Sequence, residues 1–488
     1  LAEAADLLAE LVVEGARTIV FMKSRKAVEL MARFAVLELE SRGRADLAER
    51  IAPYRAGYTP QQRRELERRL VEGELLGVVS TNALELGIDI GSLDAAICVT
   101  FPGTVASLRQ MWGRAGRRGR GLAVYVAGED ALDQFFCRHP DEFLDRPVEA
   151  AILDPRNEQI HAAHLLCAAH EGPLEPADGA TLGGGWEEMA ETLVATGDLR
   201  RRPDGTFVPQ RTDGYPAADV PLRSASRDGV VIVDGGSGEI LGTVDLARAH
   251  STVHAGAIYL HGGRQFEVSE LDLDARRAVV EPFSGDWYTQ PKRETDTYIE
   301  RLLDRRETLG VRLSFGTVVV TDQVLAFQRK RLSDHEAIDL VALDLPATSF
   351  VTQALWYEFD ERVLRSDVPL DKLLGSLHAA EHSQIAVLPL LAMCDRWDIG
   401  GLSTNLHPQT GGATIFIYDG HPGGIGITRR GFDAFEALVD DAHRLVSECP
   451  CERGCPSCVQ SPKCGNLNEP LAKAGCVELM GRMLAAGS

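Results

Sequence analysis

The chain has 488 residues, 44% hydrophobic and 25% charged, the balance of folded globular domains and not of a disordered or collagen-like chain. Its net charge of −21, from 51 Lys and Arg against 72 Asp and Glu, argues against a protein that gathers nucleic acid by its overall field. It leaves room for a local basic groove, and no apolar run reaches the roughly 20 residues that span a bilayer.

The length predicts three or four domains. The opening pattern Leu7, Leu8, Leu11, Val12 reads as the inside of an amphipathic helix, with neither an initiator Met nor a charged-then-apolar leader before it. The expectation is a fragment of a longer, cytoplasmic, nucleoid-associated protein. Of ten cysteines, Cys449, Cys451, Cys455, Cys458 and Cys464 fall within sixteen residues, which points to metal and not to disulfides.

In residues 1–150, Thr18–Met22, Gly77–Thr81, Ala95–Thr100 and Leu122–Val126 are short apolar runs, and Val28, Leu30, Met31, Phe34 and Leu37 recur at helical spacing between the first two. Strands alternating with helices predict a doubly wound parallel sheet whose ligands lie at the strands' carboxyl ends. Lys23, Ser24 and Arg25 follow the first run, and Ser80 and Thr81 close the second. The stretch Gln110 to Gly119 crowds Arg114, Arg117 and Arg118 among glycines just after Arg109. Guanidinium forks at i and i+3, as at Arg114 and Arg117, suit a triphosphate.

Residues 151–218 read as two helices, Asn157–His170 and Trp186–Ala195, then a hairpin turning at Asp204-Gly205, a winged-helix-like arrangement. Arg200, Arg201 and Arg202 on the wing reach either solvent or backbone phosphate. Residues 219–365 carry short runs split by Gly and Asp, from Val230–Val233 to Leu325–Gln328, and read as a β-rich domain. Trp287 and Tyr288 in it are expected in a core rather than stacked on a base.

Residues 366–488 begin with a long apolar helix or helix pair, Leu370–Met393, that contains His378-Ala-Ala-Glu381-His382. This H-x-x-E-H spacing is that of the inverted zinc-peptidase motif; it puts both imidazoles on one face and could bind zinc. No third ligand is evident, so the expectation is two helical histidines packed or hydrogen-bonded at a domain contact. The run Thr414–Tyr418 is a buried strand, and Gly423, Gly424 and Gly426 after it predict a tight structural turn. Cys455-Pro-Ser-Cys458 is a knuckle that aims two thiolates at one ion, and Cys451 is the third ligand. The fourth is Cys449 or Cys464. A closed Cys₄ site makes the ion structural zinc, with an iron–sulfur cluster as the alternative.

These pieces resemble superfamily 2 helicases. Phe21–Arg25 is similar to motif IV, Ser80–Ile90 to motif V and Gln110–Arg118 to motif VI, so residues 1–150 resemble the second RecA-like lobe. With Leu377–His382, Cys394–Gly400, Tyr418–Gly424 and Gly454–Asn466, nearly the whole chain resembles the MrfA-type DNA repair helicases, bacterial relatives of the fungal RecQ-four-like helicase. The resemblance implies a multidomain α/β protein with a RecA-like lobe, a winged helix, a β-rich domain and an α+β zinc-binding domain at 366–488. It implies an ATP-dependent 3′-to-5′ DNA helicase or translocase in repair of crosslinking damage, with single-stranded DNA as partner and a repair nuclease as a further candidate. Arg114 and Arg117 would act on the transferring phosphate, and Gln110, Gly87 and Asp89 would serve the nucleotide. Lys23, Ser24, Arg25, Ser80 and Thr81 would hold the tracking strand.

The chain departs from the family in lacking a G-x-x-x-x-G-K-[ST] loop and a strand ending in Asp-Glu. ATP and Mg²⁺ are therefore expected only with a missing first lobe supplied in cis, and the fragment alone is expected to be inactive. A non-catalytic nucleic-acid-binding scaffold and an RNA helicase remain the alternatives.

Overall fold

The computed structural model describes residues 1–487 except 56–59, 87–92, 118, 150, 155–156, 212, 221–228, 262–263, 332–335, 361–362 and 365–369. Its first part alternates α1 (Ala2–Val13), β1 (Thr18–Phe21), α2 (Arg25–Ser41), β2 (Ile51–Tyr54), α3 (Pro60–Val71), β3 (Gly77–Ser80), β4 (Ala95–Val99), α4 (Val105–Trp112), β5 (Leu122–Val126), α5 (Ala131–Arg138) and α6 (Pro140–Leu144). The five strands are parallel, in the order β2-β3-β1-β4-β5. β1, β3 and β4 are buried at every position, because helices cover both faces of the sheet, and this is why they read as unbroken apolar runs. β2 escapes the same reading. It carries Pro53, which only an edge strand accommodates easily.

Next come α7 (Glu158–Glu171), α8 (Gly179–Leu182) and α9 (Trp186–Thr196), then the expected hairpin of β6 (Leu199–Arg201) and β7 (Phe207–Pro209). Trp186 meets Phe207 edge-on at 5.9 Å and ties helices to hairpin. The strands β8 (Gly229–Asp234) and β9 (Ile240–Asp245), helix α10 (Leu246–Thr252), and β10 (Ile258–His261), β11 (Arg264–Asp272) and β12 (Arg277–Phe283) form a separate sheet in the order β10-β11-β12-β8-β9. It has its own core around Val230, Ile232, Phe266 and Val280.

The last sheet contains β13 (Trp287–Thr308), β14 (Val311–Arg331), β15 (Ala337–Ala342) and β16 (Thr348–Phe359). After α11 (Leu370–Val387) it continues with β17 (Ile399–Thr404) and β18 (Thr414–Asp419). Helices α12 (Ile427–Asp433), α13 (Phe435–Ser447) and α14 (Lys473–Gly487) complete the chain. The strand order is β13-β14-β16-β18-β17, with β15 beside β14. This corrects the expected division at 365/366. Ala354 of β16 pairs with Tyr418 of β18, so that boundary runs through a sheet. The expected β-rich domain is two sheets, and the second belongs with the C-terminal helices.

A single hydrophobic cluster runs from Ile19 of β1 through Phe101, Phe135 and Phe136 to Leu377, Leu388, Leu445 and Met483. Polar contacts reinforce it: Arg396 with Asp130 at 2.8 Å, Arg444 with Glu142 at 3.1 Å, and the Ser457 hydroxyl donating to the Glu129 carbonyl at 2.9 Å. Among the described residues, no helix is long and apolar enough to cross a membrane.

Candidate nucleotide cleft and metal centre

The motif positions occupy two ends of the first sheet. Lys23 and Ser24 follow the carboxyl end of β1 and are exposed, and Ser24 caps α2 by accepting the Ala27 N–H at 3.1 Å. Thr81 follows β3 and caps a short 3₁₀ turn, accepting from the Ala83 N–H. Ser80 is different. Its hydroxyl is fully buried and has no hydrogen-bond partner among the described residues, so in this conformation it faces the interior and not a surface phosphate. The Arg25 side chain, Gly87, Asp89 and Arg118 lie outside the described residues.

The arginines of the Gln110–Arg118 stretch do not join these groups at the carboxyl ends, as expected of every polar motif here. They follow the end of α4 instead of starting a helix, because α4 runs back along the sheet and stops at Trp112. The turn after it bridges Ala115 to Leu93, just before β4, and the Gly116 N–H donates to the Leu93 carbonyl at 2.9 Å. Gly116 has φ +71°, and a Cβ there would lie 2.8 Å from the Gly121 nitrogen. Only glycine fits that turn.

Glu85 links the two ends. Its carboxylate accepts the Ser107 hydroxyl at 2.7 Å near the start of α4, and its backbone carbonyl accepts the Arg114 Nε–H at 3.0 Å just past the end of α4. A second guanidinium nitrogen of Arg114 donates to the same carbonyl, and Arg114 is buried. The α4 amino terminus is held as well, with Glu149 accepting the Val105 and Ala106 N–H groups at 2.6 and 3.2 Å. Gln110 and Arg117 are exposed, and the Arg117 Nε–H makes a 3.3 Å bond to the Gly113 carbonyl. Of the two expected catalytic arginines, Arg117 is the one presented outward. Arg114 is engaged with the segment that carries motif V.

The metal ligands resolve into one set of four and one residue apart. Cys449, Cys451, Cys455 and Cys458 bring their sulfurs together. Adjacent S···S distances are 3.6 Å for Cys449–Cys451, 3.6 Å for Cys449–Cys455, 3.5 Å for Cys451–Cys458 and 3.7 Å for Cys455–Cys458. A tetrahedron with Zn–S bonds of about 2.3 Å has edges of about 3.8 Å, so the thiols fit a structural zinc ion. Burial pushes the Cys451 thiol up, but hydrogen bonding with the other three thiols outweighs it and brings Cys451 down to about 7. The Cys455 N–H donates to the Cys458 sulfur at 3.3 Å, and Lys473 donates to the carbonyls of Cys449, at 2.6 Å, and Cys451. Lys473 stands at the start of α14, and the sequence reading had no signal for it.

Cys464 is therefore corrected out of the four-ligand set, and Cys449 is the fourth. Cys464 lies instead against His378 and His382 of α11. Those histidines are buried and hydrogen-bonded to backbone, as expected.

Two other expected features take structural roles, and a third, the wing, does so only at Arg201. Trp287 packs on Phe283 at 4.7 Å with the Arg329 guanidinium 5.2 Å over its ring. The turn at Gly423–Gly426 delivers the N–H groups of Ile425, Gly426 and Thr428 to the buried Asp419 carboxylate. The same turn receives the Asn157 amide at the Gly424 carbonyl, 2.6 Å, and so holds the start of α7. On the wing, Arg201 pairs with Glu191 at 2.9 Å, while Arg200 and Arg202 are exposed.

A five-stranded parallel lobe in which Glu85, after β3, holds both Ser107 and Arg114 is the architecture of a helicase second lobe. The Helicase conserved C-terminal domain matches residues 3–119. The winged helix domain of ATP-dependent helicase HRQ1 matches 153–225, and the MrfA Zn-binding domain matches 380–459. Along nearly its whole length the chain is similar to superfamily 2 helicases of the MrfA/HRQ1 type. It is 36% identical to the ATP-dependent helicase YprA of Bacillus subtilis over 94% of this chain and 61% of that protein. It is 30% identical to the ATP-dependent helicase hrq1 of Schizosaccharomyces pombe over 99% of this chain and 47% of that one. The crystal structure of the DUF1998 helicase MrfA bound to DNA superposes with a TM-score of 0.64 at 35% identity, over 99% of this chain and 63% of that one. The chain thus spans about half to three fifths of the relatives it matches.

Proposed function

We propose that this chain supplies the nucleotide-responding and strand-handling part of an ATP-dependent DNA helicase or translocase that acts in repair and moves 3′ to 5′. The observation that carries the reading is Glu85. One residue holds Ser107 through its side chain and Arg114 through its carbonyl, so a change at the nucleotide-facing turn reaches the segment that follows Ser80 and Thr81. ATP and Mg²⁺ would be held by a first RecA-like lobe, since these 488 residues contain no phosphate-cradling G-x-x-x-x-G-K-[ST]. Arg117, and Arg114 on release from Glu85, would then neutralise charge on the transferring phosphoryl group, with Gln110, Gly87 and Asp89 beside them. Lys23, Ser24, Arg25 and Thr81 would hold backbone phosphates of one DNA strand. Arg200 and Arg202 on the wing would add further backbone contacts.

In domain terms, residues 1–150 and 151–218 act as lobe and winged helix, 229–283 as a small appended sheet, and 287–487 as one zinc-bearing body. The test compares ATP hydrolysis by this chain alone with that of the same chain joined to a first lobe, each with single-stranded DNA or RNA. Hydrolysis only in the joined protein, and stimulated by DNA, is expected. An inert joined protein defeats the reading, and preferential stimulation by RNA transfers it to an RNA helicase.

A further inference from the structure

Cys464 is placed by the fold beside two imidazoles that come from 86 and 82 positions earlier in the chain. We propose that His378, His382 and Cys464 bind a second zinc ion, in a three-ligand site whose fourth position opens on a cavity of about 1020 Å³. The donor atoms of the three residues lie within 4.8 Å of one another, with the Cys464 sulfur 3.4 Å from His378 Nε2. All three residues are buried.

The ring orientations match those of metal ligands. His378 Nδ1 lies 2.9 Å from the Pro470 carbonyl oxygen, and His382 Nδ1 lies 2.8 Å from that of Val459. A carbonyl oxygen only accepts, so each Nδ1 carries a proton and Nε2 is the atom each ring has to offer an ion. Metal-ligating histidines are fixed by this kind of outer hydrogen bond.

The loop behind Cys464 is constrained to hold the sulfur in place. Leu467 and Asn468 are both left-handed, at φ 56° and 67°, a conformation that costs non-glycine residues free energy and collects at functional sites. The Asn468 side chain clamps both backbone groups of Ser461, at 2.8 and 3.0 Å. The Asn468 N–H donates to the Cys464 sulfur at 3.3 Å, repeating the N–H···S bond of Cys455 to Cys458 in the first site.

One thiolate and two imidazoles suit zinc, and three protein ligands leave a tetrahedral position for water or an exogenous ligand. The cavity beside it is lined by Glu381, Ser403, Arg293 and Lys463. The Arg293 guanidinium, which donates to the Lys463 carbonyl at 2.8 Å and lies 4.0 Å from the Asp322 carboxylate, is among the charged groups that line this space. The zinc-binding family match spans 380–459 and includes neither His378 nor Cys464. The proposal stands apart from the helicase reading and is tested without it.

The experiment is elemental analysis of the whole chain, purified without added metal and dialysed. Two zinc ions per chain are expected, falling to one in Cys464→Ser. One zinc per chain in the wild type, bound by the four-cysteine site, overturns the proposal, and this arm needs no variant to fold. Rapid alkylation of Cys464 in that one-zinc protein would identify a metal-free thiol–imidazole pair and overturn it too. With cobalt in place of zinc, azide is expected to shift the visible bands of the wild type but not of Cys464→Ser. Bands that ignore azide overturn the open fourth position.

Discussion

The arginine turn after α4 and the four-cysteine knuckle are both small and each turns at a left-handed glycine, Gly116 at φ +71° and Gly454 at φ +105°, yet they are built to opposite ends. At the knuckle every ligand is supplied by ten residues of one segment, and Lys473 closes the backbone around it. At the turn, Arg117 and Gln110 are exposed, and the groups that would hold a triphosphate are absent from the sequence. A site that completes itself can be buried and used to hold a fold. A site that must be completed by another surface has to stay outside, and its strength goes into orienting what it presents. In the proposed reading Arg114 and Glu85, bonded to each other, would do that orienting from underneath.

The largest effect is expected at the self-completed site. Removing zinc with a chelator, or mutating Cys455→Ser, should forfeit on the order of 10 kcal/mol of binding-coupled folding energy. Thermal melting followed by circular dichroism should show the C-terminal helices lost, and an unchanged melt would mean the knuckle is not structural. At the incomplete site, Arg117→Ala in the protein joined to a first lobe should lower DNA-stimulated hydrolysis by roughly 10³-fold, about 4 kcal/mol, with zinc content and melting intact. A loss of stability in place of activity would reverse the contrast.

Gly116→Ala comes next in size and touches both stability and activity. It places a Cβ 2.8 Å from the Gly121 nitrogen at φ +71°, so about 1–3 kcal/mol of stability should be lost in denaturant titrations, together with slower hydrolysis.

The smallest effect belongs to Glu436, whose carboxyl is held down to about 2 by hydrogen bonding to Arg306, with help from Thr308. Its folded value is depressed, so its stabilisation is full above its ordinary value of 4.5 and is lost as pH falls through about 2. The pair is partly exposed, so Glu436→Gln should cost about 1 kcal/mol at pH 6 and less at pH 3. A gap that widens on acidification would contradict the assignment.

Local signals were readable from the residues. Runs such as Ala95–Val99 had to be central strands because both faces are covered, and Asp204-Gly205 had to turn a hairpin. The knuckle at Cys455–Cys458 announced its chemistry by spacing. What could not be read depended on distance in sequence. β13 is a 22-residue strand in which charged residues recur, because much of it faces solvent, so no apolar alternation marks it. The partnership of Cys464 with His378 and His382 arises only when α11 and the segment after the knuckle pack together. Ser80 reads as a surface hydroxyl from its strand-end position, and only packing shows that it is covered.

The shared core has one further consequence. Cys449 and Cys458 belong to the same apolar cluster as Ile19, Val78 and Phe101, so the metal knuckle shares an interior with one face of the parallel sheet, while Val20, Val79 and Ile97 on the other face have a core of their own. Unfolding should then be one cooperative transition for both, and amide exchange in β1 and β4 should accelerate when the ion is withdrawn from a site more than 300 residues away in the chain.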